Sequence, residues 1–357
     1  MYASVSSADK KTFLKTIYFE TPDYIPMTFH INESCYDFYP KDALFELMEN
    51  HPFLFPNFEV PKQFVPTYAE NARKDTPYID DFGCVWETAT NGIVGSVHRH
   101  PLADWENYKD YEFPNPEKST GLGPINWDEF YKKCEQERKT GQMIYGDLRH
   151  GHTFLQLCDL RGYENVLFDM MDEEPLLEDL IKRLEEFNIA QIEHFLLADV
   201  DVIRIPEDLG MQTGPMLSVE NFRKYIKPSY QHMLKLAREK EKIIHMHSDG
   251  DIRLLVDDII DGGVDVINMQ DLVNGIDWIG EKFRGKICID LDIDRQSITP
   301  FGTPKQIDEL ILEEVKKIGC KQGGLSMIYG LYPGVPLENV EAVMDAMERY
   351  AFYYSGM

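Results

Sequence analysis

The chain is 357 residues long, 43% hydrophobic and 27% charged, a composition that supports a large buried core. Its 62 acidic and 36 basic residues leave a formal net charge of −26. Such a surface repels nucleic-acid phosphates and anionic lipid, and no basic stripe or apolar run of membrane-span length offsets that exclusion.

Taken in chain order, IPMTFHI (25–31) reads as a first strand, followed by a less regular second unit. Residues 75–102, containing FGCVWETATNGIVGSV, read as a β-hairpin turning at Asn91-Gly92. Strand-like and helix-like segments then alternate. MIYGDL (143–148) precedes a helix at 175–198 that opens on Pro175, and VDVIRI (200–205) precedes a helix at 218–240 that Pro228 should kink. KIIHMH (242–247) is followed by the helical DIRLLVDDII (251–260), and VDVINM (264–269) by DWIGEKF. KICIDL (286–291) and GGLSMI (323–328), each with a long helix after it, close the series.

Apolar strands alternating with helices predict a parallel sheet covered by helices. The G-x-G-x-x-G fingerprint of dinucleotide binding is absent. Eight units favour a (β/α)8 TIM barrel of α/β class: a single domain over 1–357 with an N-terminal extension and the 75–102 insertion. The N-terminus has no secretory signal, and the six cysteines (35, 84, 134, 158, 288, 320) show no CxxC, so reduced thiols in a cytoplasmic location are expected.

A barrel draws its catalytic groups from the carboxyl ends of its strands, and polar clusters recur there. They are Asp147, Arg149, His150 and His152; Glu207, Asp208 and Gln212; His245, His247, Asp249 and Asp251; Asn268, Gln270 and Asp271; Asp290 and Asp292; and Tyr329 and Tyr332. HMHSDGD is the sharpest. Alternation puts His245 and His247 on one side of a strand, and Asp249 extends that direction. Imidazole and carboxylate suit zinc or another divalent metal, and equally suit acid–base work or substrate hydrogen bonding. Glu207 is the best third ligand for His247 and Asp249, and Asp251 reads as a cap for the next helix. Asp147 and Arg149 either orient a substrate or pair with each other. Of Glu207 and Asp208, neighbours on a strand, at most one faces the mouth. Tyr78, Trp86, Tyr329 and Tyr332 lie in loop-like surroundings where they could stack on a flat substrate.

The stretch HSDGDIRLLVDDIIDGGVDVINMQD resembles a segment of the uroporphyrinogen decarboxylase and cobalamin-linked methyltransferase superfamily, in which His-x-Cys-Gly precedes a helix and a Gly-Val-Asp strand. DLGMQTGPMLSVENFRKYIKPSY, CIDLDIDRQSITPFGTPKQIDELI and GGLSMIYGLYPGVPLENVEAVMDA resemble the family's neighbouring segments in the same order, and YIDDFGCVWE and LRGYENVLFDMMDEEP match in character. The resemblance implies a TIM-barrel enzyme with one of two activities. Decarboxylases of the family act on uroporphyrinogen without a cofactor and carry an N-terminal Arg-Gln-Ala-Gly-Arg-Tyr segment; here the first 72 residues contain no arginine. The zinc methyltransferases carry His-x-Cys and a second Cys in the last unit; the matching positions here are His247, Asp249 and Tyr329, so both sulfur ligands are gone.

The leading expectation is methyl transfer from a small methylated substrate to a corrinoid protein. His247, Asp249, Glu207 and Asp147 would be catalytic, the first three also holding a metal. Arg149, His150, His245, Gln212, Asn268, Gln270, Asp290 and Tyr329 would line the substrate site. The alternatives are a decarboxylase of a porphyrinogen or smaller carboxylate, with no cofactor, and an inactive barrel that binds a ligand or partner. A second copy of the chain, as a homodimer, is a candidate partner; nucleic acid and membrane are not.

Overall fold

A computed structural model describes residues 9–355. The start of the expected N-terminal extension, residues 1–8, lies outside the described residues. The fold is of the TIM-barrel class. Its strands are β1 (Met27–Ile31), β2 (Tyr145–Asp147), β3 (Val202–Arg204), β4 (Ile243–Ser248), β5 (Val266–Gln270), β6 (Cys288–Asp292) and β7 (Leu325–Leu331). The less regular stretch after β1 adds no further strand to this series among the described residues. All six cysteines are free thiols, and no described helix is long and apolar enough to cross a membrane.

The chain divides into two compact units. The first takes in the chain through Lys74, Thr88–Val94 and the chain from Ile267 onward. Its strands lie in the order β1-β7-β6-β5, with β1 and β6 both parallel to β7. Strand alternation sorts the side chains. Met27, Phe29, Ile289, Leu291 and Met327 are fully buried on one side, and Asp290 and Ser326 stand in register on the other. The long helices of this unit are amphipathic. One of them, Pro304–Ile318, is started by a capping box in which Thr303 and Gln306 satisfy each other's backbone amides.

The second unit comprises Asp75–Glu87 and Gly95–Val266. Its strands lie in the order β4-β3-β2, all parallel. The helix Pro175–Leu197 opens on its proline, with the Glu174 carboxylate accepting from the Leu176 amide. Gly146 faces this helix because a Cβ there would overlap the Phe195 ring. The kink expected at Pro228 takes the form of a π-helical turn, Phe222–Ile226, ahead of the helix Lys227–Glu239. A proline supplies no N–H and its ring displaces the preceding turn, which widens instead of breaking. The helix expected at 251–260 begins only at Val256, since the Asp251 carboxylate binds the Arg253 amide and guanidinium and holds a turn there.

The insertion differs in detail from a two-residue hairpin. Strands Val85–Glu87 and Ser96–Arg99 pair antiparallel, and Tyr78–Ile79 adds a third strand in this unit. Asn91 and Gly92 lie in the first unit, within the wider loop 88–95. There the Asn91 carboxamide accepts from the Lys74 amide at 2.9 Å, and the Gly92 amide donates to the Ala72 carbonyl at 2.8 Å. The turn residues serve those contacts instead of closing a tight turn.

Two features of the fold are directly testable. In the second unit the loops after β3 and β4 cross at Gly210 and Gly250, and a Cβ on Gly250 would overlap the Gly210 backbone. Gly250 also holds φ +79°, a conformation that L side chains avoid. Gly250→Ala is expected to lower unfolding stability in urea by about 1–3 kcal/mol; an unchanged midpoint would show that the crossing is not needed. In the first unit Glu314 is fully buried, and burial together with the neighbouring Asp271 carboxyl raises it well above the ordinary glutamate range. An unfolded glutamate releases its proton near pH 4.3, while the native one keeps it. Between those points the native state binds more protons, and stability falls as pH rises. Glu314→Gln, neutral at every pH, should therefore gain about 1–2 kcal/mol at pH 8 and little at pH 4. Thermal melts at the two pH values giving equal shifts would contradict the buried neutral acid.

Candidate active site

Period-two alternation gives the second unit one polar face. Tyr145 and Asp147 on β2, Arg204 on β3, and His245 and His247 on β4 point to the same side, with Asp147, Arg204 and His245 in direct register. Ile203 and Met246, on the opposite side, are buried. The polar face is open: the Asp147 and Arg204 side chains are 48% and 42% exposed. Arg204 grips Asp147 through two parallel bonds of 2.5 and 2.7 Å, and its guanidinium lies 4.5 Å from the centre of the Tyr145 ring.

Beyond this row, three loop or strand-end groups converge. Asp208 sits between His150, at 3.4 Å from Nε2 to Oδ2, and His247, at 3.4 Å from Nε2 to Oδ1. One potential ligand atom from each of the three lies within 4.8 Å of the others. Asp249 stands 3.6 Å from His247 Nε2, and its amide donates to Asp208 Oδ1 at 2.9 Å. Burial works against the charge on Asp208, yet hydrogen bonds from His150 and His247 hold its carboxyl below the ordinary range. It is a carboxylate at neutral pH. Two imidazoles and one carboxylate form a nitrogen and oxygen donor set that suits a divalent cation such as zinc.

Glu207 is not part of this cluster. It is fully buried, with Oε1 accepting from the Thr153 and Leu155 amides at 2.9 and 3.0 Å and Oε2 accepting from the Tyr230 hydroxyl. Neighbouring residues on an extended chain point apart, and Asp208 is the one turned towards the histidines. Burial and the adjacent Glu207 raise the Tyr230 phenol well above its usual range, so it remains a donor. His152 is also buried, at 1% exposure, against Tyr230, and desolvation lowers its pKa.

Arg149 and Asp147 do not pair with each other. Arg149 is buried between Asp80, at 3.6 Å, and Asp159, at 3.1 Å, and lies 5.9 and 5.8 Å from the Phe82 and Trp86 rings. It fastens the insertion to the helix Phe154–Arg161, and burial pushes the Asp159 carboxyl up to about 7 against the pull of Arg149. Trp86 donates to Asp80 at 2.9 Å and Tyr78 to the Leu122 carbonyl, so both serve the insertion. Gln212 is exposed on a turn between the short strands Gly210–Met211 and Gly214–Pro215.

In the first unit, Asn268 donates to the Asp290 carbonyl at 2.6 Å and Ser326 to the Asp290 carboxylate at 2.8 Å. Gln270 is buried at 7% exposure, and Arg295 binds Asp292 at 2.5 Å. Tyr329 departs from expectation. The pairings of Asp290 with Ser326 and of Asp292 with Ile328 put Tyr329 on the other side of its strand. There it is fully buried, against Phe29, with its hydroxyl 3.1 Å from Thr299. Tyr332 is 39% exposed.

Residues 145–350 match the family model described as uroporphyrinogen decarboxylase (URO-D). Curated uroporphyrinogen decarboxylases from two strains of Prochlorococcus marinus are 22% identical over 190 residues and 23% over 184. Each match takes in 51% of this chain and 50% of the relative, so the chain spans half the length of the curated proteins it matches. A solved structure described as a methyltransferase from Methanosarcina mazei has the same fold, with a TM-score of 0.64 at 18% identity over 97% of this chain and 99% of that one. With the family model matched across residues 145–350 of 357, the chain belongs to the uroporphyrinogen decarboxylase (URO-D) family.

Proposed function

We propose that the chain is a methyltransferase of this family, moving a methyl group from a small methylated substrate to a corrinoid protein at a divalent metal held by His150, Asp208 and His247. The convergence of those three side chains at the strand ends supports the reading, because each offers a ligand atom within 4.8 Å of the others. The donor set fits such an ion: it is compact, it holds a carboxylate kept ionised, and Asp249 stands beside it at 3.6 Å from His247. When bound, the ion supplies Lewis acidity to a substrate heteroatom. The chain's own groups supply the rest. In the metal-free chain Asp208 holds both imidazoles facing one another, and the Arg204–Asp147 pair over Tyr145 offers donors and acceptors for a polar substrate.

The placement of cations argues for this reading over decarboxylation of a substrate bearing many carboxylates, which needs cationic partners. Arg149 is bound to Asp80 and Asp159, Arg204 to Asp147, Arg253 to Asp251 and Arg295 to Asp292. The names of the Prochlorococcus relatives keep decarboxylation as the second reading.

Metal analysis of chelator-stripped protein reloaded with zinc should give about one ion per chain, and Asp208→Asn and His247→Ala should each weaken zinc binding by about tenfold or more. Zinc uptake unaffected by both variants would remove the metal site. Incubation with a methyl-donor panel and a corrinoid protein should methylate the corrinoid. Absence of methylation, together with conversion of uroporphyrinogen to coproporphyrinogen, would establish the second reading instead.

A further inference from the structure

The three members of the cluster come from three separate segments, and each segment is tied to Glu207. The segment carrying His150 ends at the helix Phe154–Arg161, whose first turn offers amides that need acceptors. Glu207 Oε1 takes two of them, from Thr153 and Leu155. The same segment is pinned a second time where the Gly151 amide donates to the Pro206 carbonyl at 2.8 Å. β4, carrying His247, is tied through the Glu207 amide, which donates to the His247 carbonyl at 2.9 Å. Asp208 follows Glu207 directly in the chain. The other carboxylate oxygen is anchored by Tyr230, itself fully buried on the helix Lys227–Glu239.

We infer that Glu207 is a positioning residue for the metal cluster: its buried carboxylate fixes the segment carrying His150 against the one carrying Asp208, and its amide holds β4 with His247 beside them, without touching the ion. This rests on the metal reading given above. The two roles open to this carboxylate make opposite demands on a substitution. A ligand must keep its charge, and glutamine is a poor replacement. A positioning acceptor needs only an oxygen facing Thr153 and Leu155, which the glutamine carboxamide retains, while the Tyr230 hydroxyl can turn to accept from its NH2.

The probe is cobalt(II) alone, titrated into the metal-free full chain and followed by its ligand-field absorption. Glu207→Gln is expected to bind cobalt within about threefold of the unaltered chain and to keep its band shape. Glu207→Met, which fills the volume but leaves both amides without an acceptor, should weaken binding by about tenfold and alter the band, as loss of an outer partner does. Glu207→Gln losing cobalt as completely as Asp208→Asn would make Glu207 a ligand, and Glu207→Met binding normally would remove its role; either overturns the inference. Should Glu207→Met fail to fold, Tyr230→Phe removes one donor from the same carboxylate. A smaller loss of affinity with a shifted band is then expected, and an unchanged titration counts against the inference. An unaltered chain that takes up no cobalt overturns the metal reading by itself. The positioning role is then read from the imidazole nitrogen resonances of His150 and His247 in metal-free protein. These should move in Glu207→Met and stay in Glu207→Gln, and no movement in either refutes it.

Discussion

A buried carboxylate must be surrounded by donors or it unfolds what surrounds it, and in the second unit this requirement fixes the site. Glu207 lies on the short path from β3 into its loop, at 0% exposure. Its donors are a phenol and two backbone amides from the start of a helix. A helix start has spare amides and a positive dipole end, so it is the natural partner for a carboxylate in a dry environment. Satisfying Glu207 therefore brings the segment with His150 to the end of β3. The crossing of Gly210 and Gly250, with the Asp251 amide donating to the Met211 carbonyl at 2.8 Å, brings the end of β4 to the same place. The cluster follows from backbone that has little freedom left.

The strands were legible in the sequence because their physics is local. Short apolar runs alternating with helical segments, with polar residues at the carboxyl ends, located all seven strands, and Pro175 marked the start of its helix. Alternation also placed His245 and His247 on one face. The same rule, carried across neighbouring strands, would have found Arg204, which stands opposite Asp147, and Ser326, which stands opposite Asp290. It would also have turned Tyr329 inward, towards the helices. That step needs the register between strands, which one strand's own sequence does not contain.

Other features were beyond a single sequence for a different reason. Glu207 and Asp208 are adjacent carboxylates, and choosing between them depends on where the helix start at Thr153 and the ring of Tyr230 lie in space. Arg149 reads as a substrate anchor by its position after β2, but the insertion supplies Asp80 and two aromatic rings that enclose it. Asn91-Gly92 reads as a tight turn by composition, while its hydrogen bonds go to Lys74 and Ala72. In each case a long-range partner overrode a sound local signal.

The same distribution of partners bears on substrate chemistry. An acidic chain has few cations to spare, and those at the strand ends are held by carboxylates: Arg204 bidentate on Asp147 in the second unit, and Arg295 on Asp292 in the first. An arginine already gripped in two parallel bonds gives up those bonds to receive a substrate carboxylate, so the exchange yields little net affinity. Repeating that exchange for every acid on a polycarboxylate leaves such a ligand weakly bound at either set of strand ends. On the proposed metal reading, a small substrate that engages one metal-bound position and a few neutral donors would lose none of those pairs. The bonds that order the polar face are thus the ones that, on the proposed function, would count against a polyanionic substrate.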